Sequence, residues 1–202
     1  MTLDRFRSVA DRALAPLVAG FARLGLGPNG VSVVAIALAF GAAGAFYFAA
    51  GDPWLYALGA LLVFLNGVLD LVDGALAREL GVDSAAGDLL DHVLDRYADI
   101  AIVAGLAAGV EQYALGFAAI TGVLMTSYLG TQAQAVGVER VYGGVLGRAD
   151  RLALVGVVGV AMVVLPDPVR GLTLVGWLLA LFAVLGHATA LQRFYLSMRA
   201  LG

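Results

Sequence analysis

The sequence predicts an all-α, polytopic membrane protein with six transmembrane helices and an amphipathic surface helix at its N-terminus. Three observations carry that reading. The 202-residue chain is 61% hydrophobic, and its mean hydropathy of +0.93 is far above that of a soluble domain with a polar surface. Three uncharged apolar runs, residues 31–50, 113–138 and 171–191, exceed the roughly 18 residues that a helix needs to cross a hydrocarbon core. Three further runs, 54–69, 100–110 and 152–165, reach that length only if each helix continues through polar neighbours. Such continuation is tolerated where those neighbours face a protein-lined cavity.

Residues 1–26 contain Arg5, Arg7, Arg12 and Arg23 and no compact apolar core before a cleavage site, so they do not read as a signal peptide. Leu3, Phe6, Val9, Leu14, Leu17 and Phe21 fall on one helical stripe, the pattern of a helix lying on a membrane. Gly27-Pro28-Asn29-Gly30 then breaks the chain, and Asn29 or Ser32 is expected to cap a first span starting near Val31. Gly51-Asp52-Pro53 turns the chain into the second span, with Trp54 and Tyr56 suited to the membrane interface.

The second span runs into Asp70 and Asp73 without a breaker, and Gly81-Val82-Asp83-Ser84 forms a loop. A third helix is expected from near Ala85 to about Val110, and a fourth follows the turn at residues 109–112. A polar loop, 137–147, precedes a fifth span from about Arg148; the turn Leu165-Pro166-Asp167-Pro168 leads to a sixth that ends near Arg193. The small-residue runs at 41–44 and 104–109 suit close helix packing. One domain, 1–202, with a six-helix core at 31–193, is the simplest organisation.

Charge sets orientation. With a cytoplasmic N-terminus, eleven of the twelve arginines lie on the cytoplasmic side, leaving Arg170 outside, as the positive-inside rule favours. The expected location is the cell membrane, with residues 70–95 opening to the cytoplasm. The chain has no cysteine and a net charge of -3, which excludes thiol chemistry and gives no basic footprint for nucleic acid.

Only 13% of residues are charged, yet eight of the fifteen acids fall within residues 70–99: Asp70, Asp73, Glu79, Asp83, Asp88, Asp91, Asp95 and Asp99. Ionisable groups amid apolar runs are functional candidates. Residues three or four apart share a helical face, so Asp70 pairs with Asp73 and Asp91 with Asp95. Two adjacent antiparallel helices would bring these four carboxylates together. Four such charges at close range require a counter-cation. Oxygen-only ligands favour Mg²⁺ or Mn²⁺ over zinc, and four carboxylates suffice for two ions clamping a phosphoryl displacement. Gly74, Gly87 and Ala77 leave room for a phosphate to approach the backbone, and Arg78 is placed to pair with it. Asp88 and Asp99 share the face of Asp91 and Asp95 and could assist. Glu79 and Asp83 read as solvated loop acids, His92 and His187 as structural, and Arg140 as an orientation anchor.

The spacing D-x2-D-G-x2-A-R-x8-G-x3-D-x3-D, kept at Asp70, Asp73, Gly74, Ala77, Arg78, Gly87, Asp91 and Asp95, resembles the signature of the CDP-alcohol phosphotransferase family. Pro28-Asn29-Gly30-Val31-Ser32 is similar to the P-N-x-x-T/S entry into that family's first span. The resemblance implies metal-dependent transfer of a substituted phosphate from a CDP-linked lipid to a small polar alcohol, with CMP leaving. It implies Asp70, Asp73, Asp91 and Asp95 as metal ligands and Asp95 also as general base. Gly74, Ala77, Arg78 and Gly87 would bind the CDP moiety, and homodimerisation is common in the family.

Ser127-Tyr128 and the run from Gly144 to Leu152 resemble the S-Y…G-x-x-E-R-x-E-R-L pattern of phosphatidylinositol-phosphate and archaetidylinositol-phosphate synthases. Arg148 and Arg151 would hold the acceptor phosphate. Inositol phosphate is thus the first expectation for the acceptor, with glycerol phosphate or serine next. Those relatives place basic residues shortly after S-Y, where this chain has Leu129-Gly130-Thr131-Gln132-Ala133-Gln134. A cation- or proton-coupled transporter is the different-class alternative, since intramembrane acids also mark ion pathways. Transporter acids tend to lie near the midplane on broken helices or repeats; here they cluster toward one mouth.

Overall fold

A computed structural model describes residues 7–82, 84–138, 144 and 146–202. Among the described residues seven helices form: α1 (Arg7–Arg23), α2 (Pro28–Phe48), α3 (Trp54–Leu80), α4 (Ala85–Gly109), α5 (Tyr113–Ala135), α6 (Arg148–Val164) and α7 (Leu174–Leu201). No strand occurs among the described residues. Leu3, Phe6, Asp83 and Arg140, all given roles from the sequence, lie outside the described residues.

Among the described residues four helices, α2, α3, α5 and α7, are long and apolar enough to cross a membrane. The other two core helices fall short because of charge and length. The first half of α4 carries Asp88, Asp91, Asp95, Arg96 and Asp99, and α6 has only 17 residues and opens on Arg148, Asp150 and Arg151.

Helix ends depart from expectation in two places. α2 starts at Pro28, with extended Gly27 as N-cap and no side-chain cap. Proline suits a first helical turn because its fixed φ is already helical and its missing N–H has no helical partner to lose. Asn29 and Ser32 therefore sit inside the helix, and neither caps it. α7 runs past Arg193 to Leu201, because Phe194-Tyr195-Leu196 continues the apolar pattern without a breaker. The other ends follow local rules. Gly81 ends α3 in the left-handed region at φ 63°, where glycine carries no Cβ penalty, and Ser84 caps α4 by accepting from the Gly87 amide at 3.1 Å.

The core helices pack in cyclic order, α2–α3–α6–α7–α5–α4 and back to α2, with α1 against α3. This corrects one expectation: α3 and α4 are consecutive and antiparallel but are not packed neighbours. Both pack on α2, which leaves a gap between their acidic faces. The ring is filled by Phe46, Val63, Ile102, Leu106, Val155, Leu179 and Phe182, all buried. Leu14 and Val18 of α1 bury against Val31, Val72 and Leu76, while Leu17 is exposed.

The small-residue runs do bring helices together. A Cβ on Gly105 would run into the Ala43 backbone, and one on Gly109 into the Phe46 carbonyl. Exposed aromatics, Tyr47, Trp54, Tyr113 and Trp177, lie at the end of the bundle remote from the acids, as membrane-interface residues do. Tyr56, also expected there, is instead buried, 6.3 Å from the ring of Phe46.

Because the Gly105 contact sets the α2–α4 distance, Gly105→Val should lower stability by about 1–3 kcal/mol, the usual cost of overpacking. Thermal unfolding in detergent measures this. Gly44→Ala, where a Cβ meets nothing within 4 Å, should leave Tm unchanged or slightly raised.

Candidate active site

The last turns of α3 and the first half of α4 present their acids across the gap. Asp70, Asp91 and Asp95 each offer an oxygen, and these atoms all lie within 4.8 Å of one another. Asp73, the fourth expected ligand, lines one small cavity with these three but is otherwise engaged. Its Oδ2 accepts from Ser32 Oγ at 2.6 Å and its Oδ1 from the Gly74 amide at 2.7 Å. The structure therefore gathers three of the four and holds the fourth against α2.

Three half-buried carboxylates with oxygen donors only fit a hard divalent cation. Asn66 adds to the fit. It lines the same cavity and is 2% exposed; its amide nitrogen donates to the Ala35 carbonyl at 2.9 Å, and its Oδ1 has no partner among the described residues. A buried acceptor without a donor is rare, and a bound water or a hydrated ion resolves it.

In the protein itself, Arg148 supplies the counter-charge. Its guanidinium lies 2.5 Å from Asp70 and 2.8 Å from Asp95. α6 begins there because Gly147 is an extended N-cap whose amide donates to Asp150 Oδ2 at 2.9 Å. Arg148 thus takes up oxygens of two of the three clustered acids, and an incoming cation competes with it for them. One turn on, Arg151 pairs with buried Asp99 at 2.8 Å.

A cavity of about 660 Å³ opens beside the cluster, lined by residues of α3 to α7. Asp70, Asp95, Arg148, Arg151 and Arg193 are among its polar walls, and Phe64, Val68 and Leu71 among its apolar ones. Arg193 was legible only as an orientation charge. It is 7% exposed and donates to the Thr126 carbonyl at 2.7 Å. A Cβ at Gly130 would lie 2.7 Å from its guanidinium, so glycine there makes room for it. The available signal was an arginine inside, rather than at the end of, an apolar helix.

The other expected residues are placed as follows. Arg78 is exposed, and its guanidinium passes 3.5 Å from where a Gly74 Cβ would stand. Ala77 is half-buried, and its carbonyl accepts from the Val82 amide beyond the helix end. Gly87 is held by the Ser84 cap. None of Gly74, Ala77, Arg78 and Gly87 lines the large cavity. His92 does line it, with Nδ1 2.8 Å from the Asp88 carbonyl.

Residues 26–188 match the CDP-alcohol phosphatidyltransferase family. The archaetidylinositol phosphate synthase of Methanothermobacter thermautotrophicus is 29% identical over 95% of this chain and 91% of its own. The phosphatidylinositol phosphate synthase of Mycobacterium marinum is 32% identical over 94% of this chain and 81% of its own. The crystal structure of the Mycobacterium tuberculosis phosphatidylinositol phosphate synthase with CDP-DAG bound superposes with a TM-score of 0.78 at 25% identity, covering 92% of this chain and 94% of that one. The same enzyme has been solved in complex with manganese and citrate.

Manganese is therefore a direct probe of the cluster. Asp70→Asn or Asp91→Asn should weaken Mn²⁺ binding, followed by electron paramagnetic resonance, by about tenfold or more, whereas Arg148→Gln should tighten it by removing the competing cation.

Proposed function

The chain belongs to the CDP-alcohol phosphatidyltransferase family, and from that premise we propose that it transfers a phosphatidyl or archaetidyl group from a CDP-linked lipid to inositol phosphate. The observation that carries this reading is the meeting of two opposite charge sets in one cavity: the acids of α3 and α4, and Arg148, Arg151 and Arg193. The first set suits a metal-bound diphosphate; the second suits the phosphate of a phosphorylated alcohol.

In the reaction, an acceptor hydroxyl oxygen attacks the lipid-linked phosphorus of the donor. The bond from that phosphorus to the bridging oxygen breaks, CMP leaves with the oxygen, and the hydroxyl proton passes to Asp95. Asp70, Asp91 and Asp95 would hold the metal, Mg²⁺ or Mn²⁺ and two ions in this reading, and Asp73 would be the fourth ligand through the lone pairs that its Ser32 and Gly74 bonds leave open. When bound, the metal neutralises the diphosphate and stabilises the departing CMP. Ser32 fixes the orientation of Asp73. Gly74, Ala77, Arg78 and Gly87 form the CDP-facing edge at the outer end of α3 and the start of α4.

Arg148 and Arg151 enter from α6, and Arg193 from α7. This third arginine answers the absence of basic residues after Ser127-Tyr128. Arg193 on α7, admitted by Gly130, gives this wall its third cation. Charge in the acceptor wall favours inositol phosphate over serine or an uncharged alcohol, with glycerol phosphate next, and the names of the relatives agree.

The chain is a membrane protein. In our reading all six core helices cross the bilayer, α1 lies on its surface and the site faces the cytoplasm of the cell membrane. There it meets a soluble phosphorylated acceptor, while the exposed apolar helix faces meet lipid. A homodimer is the proposed assembly.

Purified protein with Mn²⁺, a CDP-lipid and inositol phosphate should release CMP, and chelation of the metal should abolish release. No CMP with any phosphorylated or neutral acceptor would contradict the proposal. Asp95→Asn, at saturating donor and metal, should lower kcat by at least about 100-fold, the lower end of general-base contributions. Turnover near that of the parent would remove Asp95 as the base.

A further inference from the structure

We infer that Asp99, outside the eight fixed residues of the acidic motif, is the positioning residue that aims the acceptor arginines into the cavity. The inference rests on the proposed acceptor pocket. Asp91, Asp95 and Asp99 follow one another at four-residue intervals along one face of α4. The first two join the metal-capable cluster; Asp99 does not.

It lies behind the arginines rather than among the cavity walls. Arg96, Arg148 and Arg151 line the cavity, and Asp99 does not. Asp99 is 5% exposed, and both its oxygens face guanidinium groups: Oδ2 meets Arg151 at 2.8 Å and Arg96 at 3.5 Å, and Oδ1 lies 3.8 Å from Arg148 Nε.

Three features make this more than charge pairing. First, Asp99 is the one acidic partner of Arg151 among the described residues, so Arg151 has no competing carboxylate to draw it from the cavity. Second, Asp99 Oδ2 cannot take all five donors of the Arg151 guanidinium, so donors remain on Arg151 for a second anion on the cavity side. Third, α4 and α6 are not packed neighbours in the ring, so this ion cluster spans from one to the other and fixes where the first turn of α6 points its arginines. Asp99 touches neither donor nor acceptor in this arrangement. Its effect on the reaction passes through Arg151 and Arg148.

The test is steady-state kinetics of the full-length Asp99→Asn enzyme with Mn²⁺, varying CDP-lipid and inositol phosphate separately, with inorganic phosphate as competitor. The expected result is an acceptor KM and a phosphate inhibition constant raised by about tenfold, the loss typical of removing a hydrogen-bonded orienting group, with donor KM and Mn²⁺ affinity unchanged. Asp99→Glu, which keeps the charge one methylene further out, should fall between parent and Asn. An unchanged acceptor KM, or donor and acceptor constants that shift together, overturns the inference.

Arg151→Gln separates the two readings. If it raises acceptor KM while Asp99→Asn does not, the positioning role fails and the acceptor pocket stands. If neither raises it, the pocket itself fails and the inference with it. Should Asp99→Asn not fold, Asp99→Glu decides: a raised acceptor KM with unchanged donor KM supports the role, and an unchanged one overturns it.

Discussion

Carboxylates on α3 and α4 face one another across a gap that neither helix closes, and their mutual repulsion in an apolar bundle is the constraint on which the rest of the structure depends. α2 makes the gap possible. It packs on both helices, tightly on α4 because Gly105 and Gly109 lack side chains, and keeps α3 and α4 apart behind a wall of Ser32 and Ala35. The repulsion is met by Arg148, delivered from α6 on the far side of α3. The site is thus assembled from three separate parts of the chain. A metal at the acids would have to share oxygens with, or displace, a guanidinium already in place.

The same arrangement ties donor chemistry to acceptor binding. Arg148 touches the acids of the metal cluster and lines the cavity, so one side chain belongs to both halves of the proposed reaction. Asp99 sits beneath it and Arg151. Along α4, charge is graded by depth: Asp91 and Asp95 join the metal-capable cluster, and Asp99 one turn further in pairs with the arginines. In the proposed reaction, a single helix face therefore sets the relative placement of the two substrates.

The acids of the site were legible because helix periodicity is local: spacings of three and four residues put Asp70 with Asp73 and Asp91 with Asp95 on common faces before any packing is known. The polar extensions of α3 and α4 were legible for the same reason. What depends on helix order in space was not. Consecutive antiparallel helices ordinarily pack together, and nothing in the sequence shows that α2 intervenes between α3 and α4. Ser32 looked like a helix cap because Ser favours that position, yet Pro28 starts the helix earlier and turns Ser32 toward Asp73. Arg193 looked like the end of a span, since a charge usually marks one; the helix continues and buries it. Asn66, one turn before Asp70, carries no sequence signal among apolar neighbours, although it presents an unsatisfied acceptor beside the acids.

The central claim is that one cavity joins a metal-binding acid cluster to an arginine-lined pocket for a phosphorylated acceptor. Its most direct test is the mass of the lipid formed when the purified protein, Mn²⁺ and a CDP-lipid are offered equal concentrations of inositol phosphate, glycerol phosphate, serine and free inositol. The account predicts a product in which CMP has been replaced by inositol phosphate. A product carrying serine or unphosphorylated inositol, or CDP-lipid recovered unchanged, would contradict it.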